Sequence, residues 1–177
     1  MPSGKTHDRI TWALFPAVVT GGYVLTQRWH LGGLAGISTL FAGLMFGPDL
    51  DIHSVQYRRW GYLRWLWLPY RRLFRHRSLW SHGLMVGTGL RLLYLGLFIG
   101  LGLGPLLAVV ALAWPSLGML LQQGLAKIFV ALQQHPEELI ALVLGLEIGA
   151  MGHTLSDVLV SRYRRQFRRK RKTHRPR

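Results

Sequence analysis

The chain has no cysteine and few acids: 7 Asp and Glu stand against 22 Lys and Arg, for a formal net charge of +15. The first absence excludes a disulfide framework and a thiolate metal site, so any metal must use imidazole and carboxylate. The second makes each acid worth locating. Four of the 7, Asp8, Asp49, Asp51 and Asp157, lie in or beside short polar clusters at the edges of apolar stretches, and four of the 8 histidines lie there too. The clusters are His7-Asp8, Pro48-Asp49-Leu50-Asp51, the run from His76 to His82, and Gly152-His153-Thr154-Leu155-Ser156-Asp157. A complete phosphate-binding loop is also missing, because Gly4-Lys5-Thr6 has neither the upstream glycine nor the preceding strand.

What the chain does have is apolar length. Hydrophobic residues make up 50% of the 177, and mean hydropathy is +0.21. Several apolar runs approach or reach the ~20 residues that cross ~30 Å of hydrocarbon. One domain, integral to a membrane, is the expectation. A net charge of this size raises nucleic acid as a partner. The Lys and Arg crowd into residues 58–77 and 162–177, however, each run beside an apolar segment, as the positive-inside bias requires. Anionic lipid headgroups are then the expected partner and nucleic acid the weaker reading.

The charged start Met1 to Arg9, followed by apolar Ile10 to Thr26, reads as an uncleaved first membrane helix, since no small-residue cleavage site follows it. Leu31 to Gly47 is the second, with Gly32/Gly36 and Gly43/Gly47 at a spacing that lets helices approach closely, and Pro48 ends it. From Ile52 to Trp80, seven arginines alternate with Trp60, Tyr62, Trp65, Trp67, Tyr70, Phe74 and Trp80, which predicts a segment lying along the membrane surface. A third span runs from near Ser81 to about Gly100, and Gly83/Gly87 and Gly96/Gly100/Gly104 are again spaced for packing. Residues 106–134 stay open between an extra hairpin and an interfacial helix on the far side. Glu137 and Glu138 favour a helix start, and Leu139 to about Tyr163 forms the last helix. The expected fold is all-α, a polytopic membrane helical bundle of four spans, alternatively six, with an interfacial Arg/Trp-rich segment. Residues 1–163 make one membrane-embedded domain, and 164–177 a basic, disordered tail.

Placing the arginine-rich loop and the tail in the cytoplasm puts both termini and all four clusters on that side. His153 and Asp157, four apart, share a helix face. His76 and His82 flank the entrance of the third helix, Asp49 and Asp51 project to one side of a turn, and His7 reaches in from before the first helix. Taken singly, an interfacial histidine is an anchor and a Pro-Asp pair a capped turn. As a set they predict a shared site for a divalent ion (Zn, Mn or Fe), held by His7, Asp49, Asp51, His76, His82, His153 and Asp157. With three or more carboxylates, two ions fit. His30, His53, His135 and His174 lack such company and read as surface residues. Arg91 and Glu147, the most deeply placed charges, fall at overlapping depths and are expected to pair directly or through one water.

A bound ion lowers the pKa of water and polarises a phosphoryl or carbonyl oxygen, which fits hydrolysis. Arg77, beside His76, would bind an anionic substrate, a phosphoester or lipid-like molecule. Asp8 or Asp51 would serve as base. Two other classes compete: a non-catalytic protein whose metal or hydrogen-bond cluster clamps four helix ends together, and a basic, membrane-tethered binding module for an acidic partner.

Five stretches carry a resemblance: Ser-Gly-Lys-Thr-His-Asp-Arg from residue 3, Phe-Gly-Pro-Asp-Leu-Asp from 46, Arg-Trp-Gly-Tyr-Leu-Arg-Trp-Leu-Trp-Leu-Pro-Tyr from 59, His-Arg-Ser-Leu-Trp-Ser-His-Gly from 76, and Gly-His-Thr-Leu-Ser-Asp from 152. In this order they resemble an uncharacterised bacterial family of metal-binding membrane proteins, similar in outline to membrane-bound metal-dependent hydrolases. The resemblance covers about residues 3–95 and 143–163. It implies metal binding at the seven residues named above and a bacterial inner or internal membrane. It brings no substrate, and the hydrolase class comes with it by analogy only.

Overall fold

The computed structural model describes residues 4–173, with side chains as far as Ser161. Among these residues all regular structure is helical. In order come α1 (Gly4–Thr26), α2 (Trp29–Leu44), a 3-10 turn (Pro48–Asp51), α3 (Val55–Arg59), a 3-10 stretch (Gly61–Trp67), α4 (Leu68–Leu73), α5 (Leu79–His82), α6 (Val86–Ala113), α7 (Pro115–Gln134) and α8 (Pro136–Thr173).

Helices α1, α2 and α8 pack tightly because glycines let their backbones touch. A Cβ on Gly22 would lie 2.7 Å from the Cα of Gly32, and one on Gly43 would strike Thr11, so α1 and α2 run antiparallel. Along α8, Gly145 sits on Ala35 and Ser38, Gly149 on Thr39 and Ala42, and His153 reaches Asp49. These pairs advance in the same direction, so α8 is parallel to α2. The Thr39 hydroxyl donates to Ala35 O at 2.8 Å and lies 3.0 Å from Gly145 O, tying the two helices together. At the other end of the bundle Arg28 pairs with Glu137.

Helix α6 departs from the end where the clusters lie, since its Arg91 donates to Ser81 O. Helices α6 and α7 together bring the chain to the far end, where Glu137 of α8 pairs with Arg28 and from which α8 returns. The start of α1, the end of α2, the start of α6 and the middle of α8 are thus collected at one end of the bundle.

Among the described residues four helices are long and apolar enough to cross a membrane: Trp29–Asp51, Val86–Ala113, Pro115–Gln134 and Pro136–Ser161. Their membership differs from the expected four. The apolar part of α1 from Ile10 onward falls short of ~20 residues, and Thr11, Thr20, Gly21 and Gly22 dilute it. Residues 115–134 instead form one unbroken helix, with Pro115 in its first turn where a missing N–H costs nothing.

Four further expectations are corrected. The third span does not begin at Ser81, because α5 ends at His82 and Met85, at φ 59°, breaks the path before α6. The Arg/Trp segment is not a flat surface belt: Trp67 and Tyr70 are fully buried and form a core with Phe46, Leu50 and Tyr57, while Tyr62, Trp65 and Trp80 stay exposed. Gly96, Gly100 and Gly104 meet nothing, so their spacing packs no helix among the described residues. The helix of α8 continues past Tyr163 to Thr173, as Arg- and Lys-rich sequence without Gly or Pro allows at a helix C-terminus. Residues 174–177, with His174, lie outside the described residues.

Candidate metal centre

The 3-10 turn Pro48–Asp51 at the end of α2 is the centre of the site. Ser54 fixes it: its hydroxyl donates to Asp49 O at 2.8 Å and accepts the Tyr57 N–H that opens α3. Asp49 and Asp51 then project toward two separate partners. Arg77, at φ 62°, turns the chain so that His76 and the α5 residue His82 come back to the same place, their rings 5.0 Å apart. On the other side α8 presents His153 and Asp157, and α1 presents His7, whose ring stacks on His153 at 3.9 Å.

Two triads result. His7, His153 and Asp157 form one, fully buried; Asp49, His76 and His82 form the other. Within each triad, one possible ligand atom per residue lies within 4.8 Å of the others. Asp49 lies between them, with Oδ2 3.1 Å from His153 Nε2 and Oδ1 3.8 Å from His82 Nε2. Asp51 belongs to neither triad. It accepts from His76 Nδ1 at 2.9 Å, and its other oxygen lies 3.8 Å from His82 Nδ1. It therefore sits on the Nδ1 side of both rings and leaves their Nε2 atoms free.

Two serines do the same, one for His7 and one again for His82. Ser156 Oγ is 2.7 Å from His153 O and 2.7 Å from His7 Nδ1. A carbonyl only accepts, so the single serine proton goes there and His7 Nδ1–H donates to the hydroxyl. The His7 Nε2 lone pair then points into the triad, 3.4 Å from Asp157 Oδ1. Ser81 Oγ lies 2.9 Å from His82 Nδ1 and within reach of the Arg75 and Ser78 carbonyls, with the same consequence. Burial, and after it the stacked His153, push the His7 imidazole down from its ordinary value, toward the neutral form that ligates metal.

The residues fit a metal by their unmet bonding. Asp49 Oδ1, His76 Nε2, His82 Nε2, both ring nitrogens of His153 and Asp157 Oδ1 are buried without a hydrogen-bond partner. In folded proteins buried polar atoms are as a rule hydrogen-bonded, at ~1–3 kcal/mol for each that is not; others stand alone here too, Gln56 Oε1 and Trp67 Nε1 among them, but these six gather around the two triads. Oxygen and nitrogen lone pairs concentrated at one point are what a divalent ion completes.

All seven residues named from the sequence as ligands are therefore brought together. Of the other named residues, Arg77 lies at the edge, half exposed, with Nη2 3.9 Å from Asp157 Oδ2. Asp8 faces Arg59, which binds both its oxygens at 2.9 and 2.5 Å. His30, His53 and His135 are exposed. Arg91 and Glu147 are buried, as expected, but no direct ion pair joins them. Arg91 donates to Ser81 O at 3.0 Å and Thr88 Oγ1 at 2.9 Å, while Glu147 accepts the Met85 N–H at 2.9 Å. Both hold the break that presents His82. Sequence reasoning passed over Ser81, Ser156 and Arg59; adjacency to His82 and Asp157 was the only signal for the serines.

A family model described as "Uncharacterized metal-binding protein (DUF2227)" matches residues 2–167. An "Uncharacterized protein" of Aquifex aeolicus (strain VF5) is 39% identical over 61 residues, 34% of this chain and 43% of the relative. The chain thus spans less than half the length of that curated relative. No solved structure matches it.

Proposed function

The chain belongs to that metal-binding family, and on this premise we propose that it holds two divalent ions at one end of a membrane bundle and hydrolyses an anionic phosphoester there. The observation that carries the reading is Asp49, one carboxylate with an oxygen toward each triad, the arrangement by which two-metal sites share a ligand. His7, His153 and Asp157 would hold one ion, His76 and His82 the other. Such an ion pair, when bound, supplies a nucleophilic water at neutral pH and polarises phosphoryl oxygens. The protein's own part is orientation: Asp51, Ser81 and Ser156 fix the rings that ligate. Asp51 lies on the side of His76 away from the triad, so we assign it positioning rather than proton abstraction.

In the membrane we place α1 beside α2, since the two pack from Thr11–Gly43 to Gly22–Gly32 although α1 alone is short of apolar residues, and we let α6 and α7 together make one net crossing, as the parallel run of α2 and α8 requires. The arginines of residues 58–77 then set the site end in the cytoplasm, facing anionic headgroups. Residues 4–161 act as one embedded domain in this reading.

Metal analysis of protein purified in detergent without chelator tests the proposal. The expected result is two ions per chain, reduced to one or none by Asp49→Asn, with turnover of a model phosphomonoester that Asp157→Asn abolishes. A wild-type metal content equal to the buffer blank overturns the reading. Metal without turnover, and an Asp157→Asn variant that only melts earlier, leaves the cluster as a clamp on four chain segments.

A further inference from the structure

A small cavity of about 90 Å³ opens onto the metal centre. Its lining includes His7, Asp49, His153 and Asp157, and the partly exposed Asp8 and Arg59 mark its mouth. Its volume is room for a few waters or one phosphoryl group, and far less than an acyl chain fills. Arg59 is the one Lys or Arg among its lining residues. Arg77, the candidate anion binder by sequence, does not line it; it approaches Asp157 from elsewhere.

Arg59 is held in a particular way. Its Nη1 donates to Asp8 Oδ1 at 2.9 Å and to Leu44 O at 2.9 Å, and its Nη2 donates to Asp8 Oδ2 at 2.5 Å. The guanidinium thus presents its two-pronged edge to a carboxylate, and that edge fits a phosphate equally well. The Leu44 carbonyl, fixed at the end of α2, keeps the guanidinium at the mouth whether or not Asp8 occupies the fork. Asp8 comes from a different helix, next to the ligand His7.

We propose that Arg59 is the anion-binding residue of this site, with Asp8 as an internal competitor: a terminal phosphoryl group enters the cavity and takes the place of the Asp8 carboxylate on the Arg59 guanidinium. The inference rests on the two-metal reading, because without the ions Asp8, Asp49 and Asp157 make the cavity repel anions. It narrows the substrate to phosphomonoesters, whose single terminal group fits while the remainder stays outside. It also gives Asp8 a role other than that of a base.

The test uses full-length, metal-loaded protein in detergent and calorimetric titration with inorganic phosphate, metal content being read on the same samples. Arg59→Gln is expected to weaken phosphate binding by about tenfold to a hundredfold, the range of charge-assisted hydrogen bonds. Asp8→Asn, which frees the fork, is expected to strengthen it several-fold. Arg59→Lys keeps the charge but not the fork, gives an intermediate affinity, and serves if the glutamine variant does not fold. Competition by short-chain phosphatidate but not phosphatidylcholine marks a lipid headgroup as the source, and its failure marks a soluble phosphate. An Arg59 variant with full metal content and wild-type phosphate affinity overturns the inference, as does an Asp8→Asn variant that binds phosphate more weakly. Absence of metal from the wild-type protein overturns the two-metal reading instead.

Discussion

Replacing Ser156 with alanine removes one buried oxygen that no ion touches, yet it should change metal binding. The hydroxyl accepts from His7 Nδ1–H and donates to His153 O, each at 2.7 Å, and so fixes which His7 nitrogen carries the proton. Alanine leaves two outcomes. Either His7 Nδ1–H stays buried and unsatisfied, at ~1–3 kcal/mol, or the proton moves to Nε2 and occupies the lone pair that would ligate. Loss of such a partner costs about 10–100-fold in metal affinity, or roughly 1.4–2.8 kcal/mol. The other triad draws on Asp51 and Ser81 for its orientation, so the effect should fall on one ion of the two. Titrating stripped protein with Zn²⁺ against a chromophoric chelator separates the affinities: one step should weaken and the other hold, with Ser156→Thr close to wild type. An alanine variant with wild-type melting and wild-type affinity for both ions would refute the reasoning.

Burial pushes the Tyr70 phenol up from its ordinary value, against the pull of Arg91. The folded state therefore keeps this proton when the unfolded chain loses it near pH ~10, and stability should fall as pH rises above that point; Tyr70→Phe should flatten the slope in pH-dependent chemical denaturation. Gly149→Ala puts a methyl group against Thr39 O and Ala42 and should cost ~1–3 kcal/mol by overpacking, seen as a lower melting temperature in detergent and weaker metal binding; an unchanged melt would mean that α2 and α8 do not touch there. The charge swap Arg91→Glu with Glu147→Arg should not rescue either single variant, because each side chain serves a backbone partner of its own; recovery of folded yield would show a direct pair.

The clustering of the seven candidate ligand residues was legible because acids are scarce. In a chain where any Asp stands out, four of them beside four histidines are hard to arrange by chance, and spacing alone gave the shared face of His153 and Asp157. The direction of α8 also followed, since clusters must lie at one end if charge places both termini together. What stayed hidden was the orienting layer. Serine caps helices and lines turns everywhere, so Ser81 and Ser156 carry no mark until the imidazoles beside them are seen. The Arg/Trp segment misled for a related reason: tryptophan and tyrosine suit both a headgroup layer and a core, and sequence order does not say that Trp67 and Tyr70 turn inward while Tyr62 and Trp65 turn out.

Arg91 and Glu147 line one small cavity, as depth counting expected, but no direct ion pair joins them. Placing each residue by its helical rise assumed that the third span was one continuous helix from Ser81, and it gave overlapping depths, hence a pair made directly or through one water. The Gly83–Met85 break removes that premise, since α6 starts only at Val86. The break also leaves backbone groups at the end of α5 and the start of α6 without helical partners. Arg91 serves one of them by donating to Ser81 O, and Glu147 another by accepting from Met85 N–H. Two charges costly to bury thus hold the two sides of this turn, and the turn is what separates α5 from α6 and lets His82 approach Asp49. Charge in the apolar interior serves the metal centre here through the backbone rather than through an ion pair.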